Sequence, residues 1–254
     1  MIQRVKKTES DHTELTGRER QNKEAYVYNE FEKSVVPKPW GHEYLMYRNP
    51  GVEVWHLYLK KGEATSLHCH PSKKTALILL SGVAQLTDLK GERTLAALGG
   101  VIIDAGAFHK TLALSEEGIH VIEVETPPDK NDLIRLKDEY GRVNKGYEKE
   151  RKTDISDGIC FRFHNSDVMS EEGAILDTSV CIHNIQGVFL ETHRMKVNAY
   201  DLVAILSGTI VGTDFEAGDL VETSELLKID TLLFSNVMLL MLKKEHKKIH
   251  KKSI

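Results

Sequence analysis

Short apolar or alternating runs, each closed by glycine, proline or a charged turn, dominate the chain from Val36 onwards. Val52-Glu-Val-Trp-His-Leu-Tyr-Leu59 reads as a strand that hands over to a Lys60-Lys-Gly62 turn. The unbroken run Ala76 to Leu80 carries the chain across a core, and Ser81-Gly82 turns it back. Ile119-His-Val-Ile-Glu-Val-Glu-Thr126 is a further strand, on which Glu123 and Glu125 share a face with Val121. A half-polar strand of this kind ordinarily gives its polar side to water; turned inward, the same face would carry two carboxylates into the interior. Pro127-Pro128 ends the strand, and Asp129 to Arg142 predicts a short helix closing at Gly141. With no alternating long helices, the pattern predicts an all-β sandwich or barrel.

Residues 1–30 are polar with little periodicity and predict an irregular arm or one short helix packed on the body. In Val36-Pro-Lys-Pro-Trp-Gly-His-Glu-Tyr44, two prolines and a glycine fix a bend around Trp40. That Trp is either an anchor sealing the end of a barrel or a substrate wall, with Lys38 or His42 reaching in. The second half echoes the first: Val203 to Asp214 repeats Leu77 to Asp88 with Ser-Gly and Thr-Asp at identical spacing, the mark of an internal repeat. On that register His68 falls on Arg194, His70 on Lys196 and Thr75 on Asp201. Glu191 and His193 would make only a weak site, after a two-residue slip. The expected organisation is an arm (1–30), a first lobe (31–147), a charged linker (148–158), a second lobe (159–243) and a basic tail (244–254). The second lobe would cover the first or form a homodimer contact.

Chemistry concentrates at Gly62-Glu-Ala-Thr-Ser-Leu-His68-Cys-His70 and Gly106-Ala-Phe-His109. His68 and His70, at i and i+2 of a strand, look the same way with roughly 6.6 Å between their backbones. His109, from a distant strand, would close a three-imidazole metal site, while Cys69 points to the opposite face as a core thiol. Such a site suits one divalent ion, Zn, Fe, Ni, Mn or Co, and spacing does not choose among them. Glu123, Glu125 and His42 are the candidate acids or bases, and Lys38 a candidate to polarise substrate or bind phosphate. Arg135 and Arg142 match an oxyanion with two parallel donors, or else make salt bridges with Asp132, Asp138 and Glu139. Lys73 and Lys74 flank the clamp, either as an electropositive mouth or as solvated turn residues.

Composition narrows the classes. At 41% hydrophobic and 28% charged residues, the 254-residue chain is globular in character and long enough to bury a sizeable core. Its net charge of −4 argues against a nucleic-acid partner, and no apolar run suits a membrane span. The basic tail reads as a solvated end. Three cysteines and an N-terminus without an apolar core predict a reducing, cytoplasmic setting.

Gly62, His68, His70 and Gly82, followed by Gly106, His109 and Thr111, resemble the two motifs of the cupin superfamily, with Asp104 in place of the usual Pro and Thr75 in place of a metal-binding Glu. Lys38-Pro-Trp-Gly41, Ile122-Glu-Val-Glu125 and Asp132-Leu-Ile-Arg-Leu-Lys-Asp-Glu-Tyr-Gly-Arg142 together resemble the cupin domain of type II mannose-6-phosphate isomerases over residues 36–142. The resemblance taken with the internal repeat implies two jelly-roll (double-stranded β-helix) lobes, the second degenerate because the repeat puts Arg194 and Lys196 where the first lobe has its histidines. It also implies a metal-dependent sugar or sugar-phosphate isomerase or epimerase acting through an enediolate, with Trp40, Lys74, Arg135 and Arg142 binding substrate. An Fe(II)-dependent cupin dioxygenase and a non-catalytic sugar-binding or scaffold cupin are the alternatives.

Overall fold

The computed structural model describes residues 1–20, 31–148, 160–164, 169–186, 195–229 and 233–245. These form three sheets. The largest has the order β1 (Ile2–Val5), β9 (Gly100–Ile103), β6 (Lys74–Ser81), β11 (Ile119–Thr126), β4 (Val52–Leu59), β3 (Gly41–Asn49) and β2 (Val35–Lys38). Facing it is a second sheet, β12 (Ile134–Lys137), β5 (Leu67–Cys69), β10 (His109–Ala113), β7 (Val83–Asp88) and β8 (Gly91–Ala96). The second lobe is one sheet among the described residues: β13 (Ser170–Ile175), β14 (Thr178–Ile185), β17 (Leu233–Lys244), β15 (Leu202–Val211) and β16 (Leu220–Glu222).

The large sheet is buried on both faces, which explains the unbroken apolar run of β6. Leu77 and Leu79 join Val101, Ile103 and Val121 in a core facing the second sheet. Ala76, Ile78 and Leu80 instead pack against Val180, Ile182, Leu202, Ala204 and Leu240 of the second lobe. Strands with water on neither side need not alternate, and each Leu or Ile side chain buried there contributes about 1.5–3 kcal/mol.

The repeat is visible in the topology: β16-β15-β17-β14-β13 reproduces the order β9-β6-β11-β4-β3. Both Ser-Gly steps use a left-handed glycine, Gly82 at φ +84° and Gly208 at φ +82°, a conformation that L side chains rarely adopt.

One local expectation is met with an addition and another is corrected. Residues 1–20 take the helical alternative, a short helix over Glu9–Leu15 behind a Thr8–Asp11 capping box, and add a strand that was not expected, β1, parallel to β9 with Ile2 opposite Gly100. The short strand has no pattern of its own because its partner's edge specifies it. Asp11 also accepts from the Phe108 N–H at 2.8 Å, pinning the strand that carries His109. The helix expected within Asp129 to Arg142 is extended chain containing β12, paired with β5. Asp132, which would have joined the helix, instead accepts the Ser72 and Lys73 N–H groups at 2.9 and 3.0 Å, and Ile134 packs on Cys69 and Phe108. Most of the expected linker, the Glu191 and His193 pair, Arg194 and the tail beyond Glu245 lie outside the described residues. No described helix is long and apolar enough to cross a membrane.

Candidate metal centre

Adjacent strands of the second sheet assemble the site. His109 of β10 lies opposite His68 of β5, which is also opposite Arg135 of β12, so the three side chains line one face. His70, just past β5, looks the same way, whereas Cys69 between the histidines is buried in the opposite core with Phe108 and Ile134. Ring centroids are 4.4 Å apart for His68 and His109, 5.0 Å for His68 and His70, and 5.6 Å for His70 and His109.

Each imidazole is oriented through Nδ1, which lies 2.7 Å from the Ser66 carbonyl in His68, 2.6 Å from Asp132 in His70 and 3.1 Å from Ala107 in His109. A neutral ring so held donates from Nδ1 and leaves the Nε2 lone pair free. The Nε2 of His70 is buried with no hydrogen-bond partner among the described residues, and ligand atoms of the three histidines lie within 4.8 Å of one another. Burial drives the pKa of His68 and of His70 well below the usual value and that of His109 down to about 4. Neutral, pre-oriented donors of this kind fit a divalent cation.

Glu123 and Glu125 turn inward with Val121, and both are buried. With His70 they form a second group whose ligand atoms lie within 4.8 Å. Glu125 sits directly across the ladder from Thr75, so a carboxylate is available beside the position where the sequence has none. Its Oε1 accepts from Lys73 at 2.7 Å and Lys130 at 3.1 Å, while Oε2 is buried without a partner. Burial and then the neighbouring Glu125 raise the Glu123 carboxyl to about 7. At Glu125 burial pushes the same way, but Lys130 and Lys73 outweigh it and hold the group low.

A cationic wall stands beside these carboxylates. Lys38 of β2 is 2.6 Å from Glu148 and 3.7 Å from Glu43. Arg142 is held by Asp138 at 2.6 Å and by Glu148 at 2.5 Å, and Arg135 reaches Glu148 at 3.5 Å. Trp40 is a core residue that also lines the cavity. Gly41 after it is obligatory, since a Cβ there would lie 1.9 Å from the Tyr58 carbonyl oxygen.

Two expected site residues are elsewhere. His42 alternates with Glu43 on β3 and faces the other side of the large sheet, its ring 5.4 Å from Tyr58; Glu43 is the one that looks into the cavity. Lys74 points to the second lobe, pairing with Glu216 at 2.7 Å and Asp219 at 2.9 Å. One-residue parity puts buried Lys73 in its place. The reading of the sequence passed over Glu43, Lys130, Tyr147 and Glu148. Lys130 lies 3.9 Å above the Trp55 ring and 3.9 Å from Glu123, and Tyr147 donates its hydroxyl to Glu43. Strand alternation with Leu45 could have found Glu43; nothing local marks the other three.

No protein-family model matches the chain. Mannose-1-phosphate guanylyltransferase from Klebsiella pneumoniae is 27% identical over 109 residues, covering 42% of this chain and 23% of that protein. The Escherichia coli protein of the same name is 28% identical over 112 residues, with the same shares of the two chains, 42% and 23%. The chain thus spans about a quarter of the length of these curated relatives, 23%. Among solved structures, the capsular polysaccharide assembling protein CapF from Staphylococcus aureus aligns at TM-score 0.38 and 18% identity, over 41% of this chain and 34% of that one. An RmlC-like cupin from Shewanella frigidimarina aligns at TM-score 0.35 and 14% identity, over 44% of this chain and 97% of that one. Two facing sheets, antiparallel but for the β1–β9 pair, with His68, His70 and His109 directed from the second sheet into the space between them, give the first lobe the fold of a cupin barrel.

Proposed function

We propose that the chain is a metal-dependent isomerase or epimerase of a sugar or sugar phosphate. The observation that carries this reading is the convergence of three Nδ1-tethered imidazoles on one point, with ligand atoms of Glu123 and Glu125 within 4.8 Å of that of His70. His68, His70 and His109 would hold the ion, with Glu125 beside Thr75 available as a further ligand. The ion, when bound, supplies positive charge that favours an oxyanion next to the carbon losing its proton.

The chain's own residues divide the remaining work. Glu125, gripped by two lysines, keeps a fixed charge. Among the described residues Glu123 has no lysine closer than 3.9 Å, so it is the better placed of the two to take a proton from the carbon beside a carbonyl and return it to the neighbouring carbon. Lys38, Arg135 and Arg142 supply donors for a phosphate, and Trp40 and Trp55 form apolar walls around the same interior. The mannose-phosphate relatives agree with this choice of substrate class. The dioxygenase alternative stands behind it, because two carboxylates adjoin the histidines.

The test is incubation of the metal-loaded protein with aldose and ketose phosphates in D2O, followed by NMR. Deuterium incorporation at the carbon next to the carbonyl is expected. Oxygen consumption with a diketone or thiol would replace this reading with the dioxygenase. Saturable sugar binding with neither reaction would leave a binding module.

A further inference from the structure

Three buried cations from separate stretches of the chain converge on one carboxylate. Glu148 Oε2 accepts from Lys38 at 2.6 Å, Oε1 from Arg142 at 2.5 Å, and both oxygens lie 3.5 Å from Arg135 Nη2. The cations are the buried members, with side-chain exposures of 3% for Lys38, 4% for Arg135 and 8% for Arg142, against 21% for Glu148. An ordinary surface ion pair has both partners in water. Here the positive groups are fixed in the wall of the barrel, and the negative group approaches from its rim.

Their other partners neutralise them only in part, two carboxylates against three cations. Apart from Glu148, Lys38 has Glu43 at 3.7 Å, Arg142 has Asp138, and the carbonyls of Lys145 and Gly146 accept from Arg135. The Nε of Arg135 is buried with no hydrogen-bond partner among the described residues. Tyr147 closes over the same place, its ring 3.7 Å from the Lys38 ammonium. With Tyr147 and Glu148 in position, the cavity bounded by His68, His70, Glu123 and these cations measures about 70 Å³. That holds an ion and a water or two; pockets that enclose small organic ligands run to roughly 300 Å³ or more.

We propose that Lys38, Arg135 and Arg142 form an oxyanion site for a phosphate monoester, and that the Glu148 carboxylate is its tethered internal occupant, which the ligand must displace together with Tyr147. This rests on the sugar-phosphate reading for the identity of the ligand, but not on the metal. A two-oxygen carboxylate engaged by one ammonium and two guanidinium groups leaves a phosphate the same donors after exchange. Entry of the phosphate and withdrawal of Tyr147 would occur together, so an anionic substrate would also make the room that its sugar needs.

The experiment is calorimetric titration of the 254-residue chain with inorganic phosphate, as wild type, Glu148→Gln, Glu148→Ala, and Glu148→Gln combined with Arg135→Gln, each checked for folding by circular dichroism. Either single variant is expected to bind phosphate at least about tenfold more tightly than wild type, a change of about 1.4 kcal/mol, and the combined variant to lose that gain. A folded single variant that binds no more tightly, or a gain that survives loss of Arg135, overturns the proposal. Failure of both single variants to fold overturns it too, since the carboxylate would then be a structural element. Running each titration with metal-stripped and metal-loaded protein, with the metal measured separately, keeps the two readings apart. Absence of bound metal removes the isomerase and leaves the phosphate result standing, whereas loaded protein without the gain removes only this inference.

Discussion

The large sheet of the first lobe and the sheet of the second share a strand order and a pair of left-handed glycines, yet among the described residues only the first carries a charged interior. The ladders give the correspondence residue by residue. Glu123 lies opposite Leu77 and Trp55, and Met241 lies opposite Val203 and Cys181. Met241 therefore stands where Glu123 does, and Cys181 where Trp55 does. In the first lobe the second sheet covers that face and brings three histidines to it. In the second lobe the same face is an apolar cluster of Val203, Ile205, Leu239 and Met241 closed by Val197 and Leu226. A scaffold able to host the chemistry does not itself supply it; the facing sheet and a few inward substitutions do.

The largest expected effect attacks the difference directly. His70→Ala removes a pre-oriented donor whose Nε2 is buried without a partner, and should reduce metal measured by mass spectrometry from about one ion per chain to less than a tenth. Lys196→Ala, at the position the sequence repeat sets against His70, should leave the metal content unchanged. Full occupancy in His70→Ala would falsify the assignment of that ligand. Next is Glu123→Met, which gives the first lobe the residue its twin uses. Proton exchange should fall by about two orders of magnitude or more. The thermal midpoint should hold or rise, because a buried carboxyl is exchanged for an apolar side chain of similar size. A fall in both would mean that Glu123 chiefly supports the packing.

Sequence alone carried part of this comparison. The His-x-His clamp was legible because strand parity is local: two residues apart means the same face. The repeat was legible because a Ser-Gly step at positive φ tolerates few substitutes. Parity did not say which face of β11 is internal, since a half-polar strand reads the same whether its polar side meets water or a charged cavity. The same ambiguity of one residue exchanged His42 for Glu43 and Lys74 for Lys73. The helix expected within residues 129–142 failed for another reason. Its propensity was overridden by β12 pairing with β5 and by Asp132 binding the Ser72 and Lys73 amides. Lys130, Tyr147 and Glu148 enter the site through chain reversals that no local pattern records.

A smaller effect tests whether the two glycines are equivalent. Gly82→Ala would force a side chain into φ +84° with its Cβ 2.8 Å from the Gly118 carbonyl oxygen. Gly208→Ala meets Asn236 oxygen at 2.1 Å with φ +82°. The conformation alone costs about 1–2 kcal/mol at either position, and the closer contact adds to it in the second lobe. Urea denaturation should therefore find Gly208→Ala the less stable of the two. Equal losses would mean that the Asn236 strand moves aside freely.

The smallest effect concerns the face where the lobes meet. His56 and His120 lie on the outer side of the large sheet, with His56 Nε2 3.1 Å from His120 Nδ1; the ladder positions that match them in the second lobe are Ile182 and Met238. Burial, reinforced by the nearby His120 and His42, lowers the His56 pKa to about 3, and burial with His42 lowers that of His120 to about 4. A folded-state pKa below the unfolded value of about 6.5 favours the neutral ring in the fold. Its contribution to stability is complete above about pH 6.5 and shrinks as pH falls towards 4 and then 3. His56→Ile with His120→Met copies the second lobe and removes that dependence. Between pH 7 and pH 4.5 the thermal midpoint of the wild type should fall further than that of the double variant. Parallel declines would assign the acid sensitivity to other buried groups, with the three histidines of the barrel next in line.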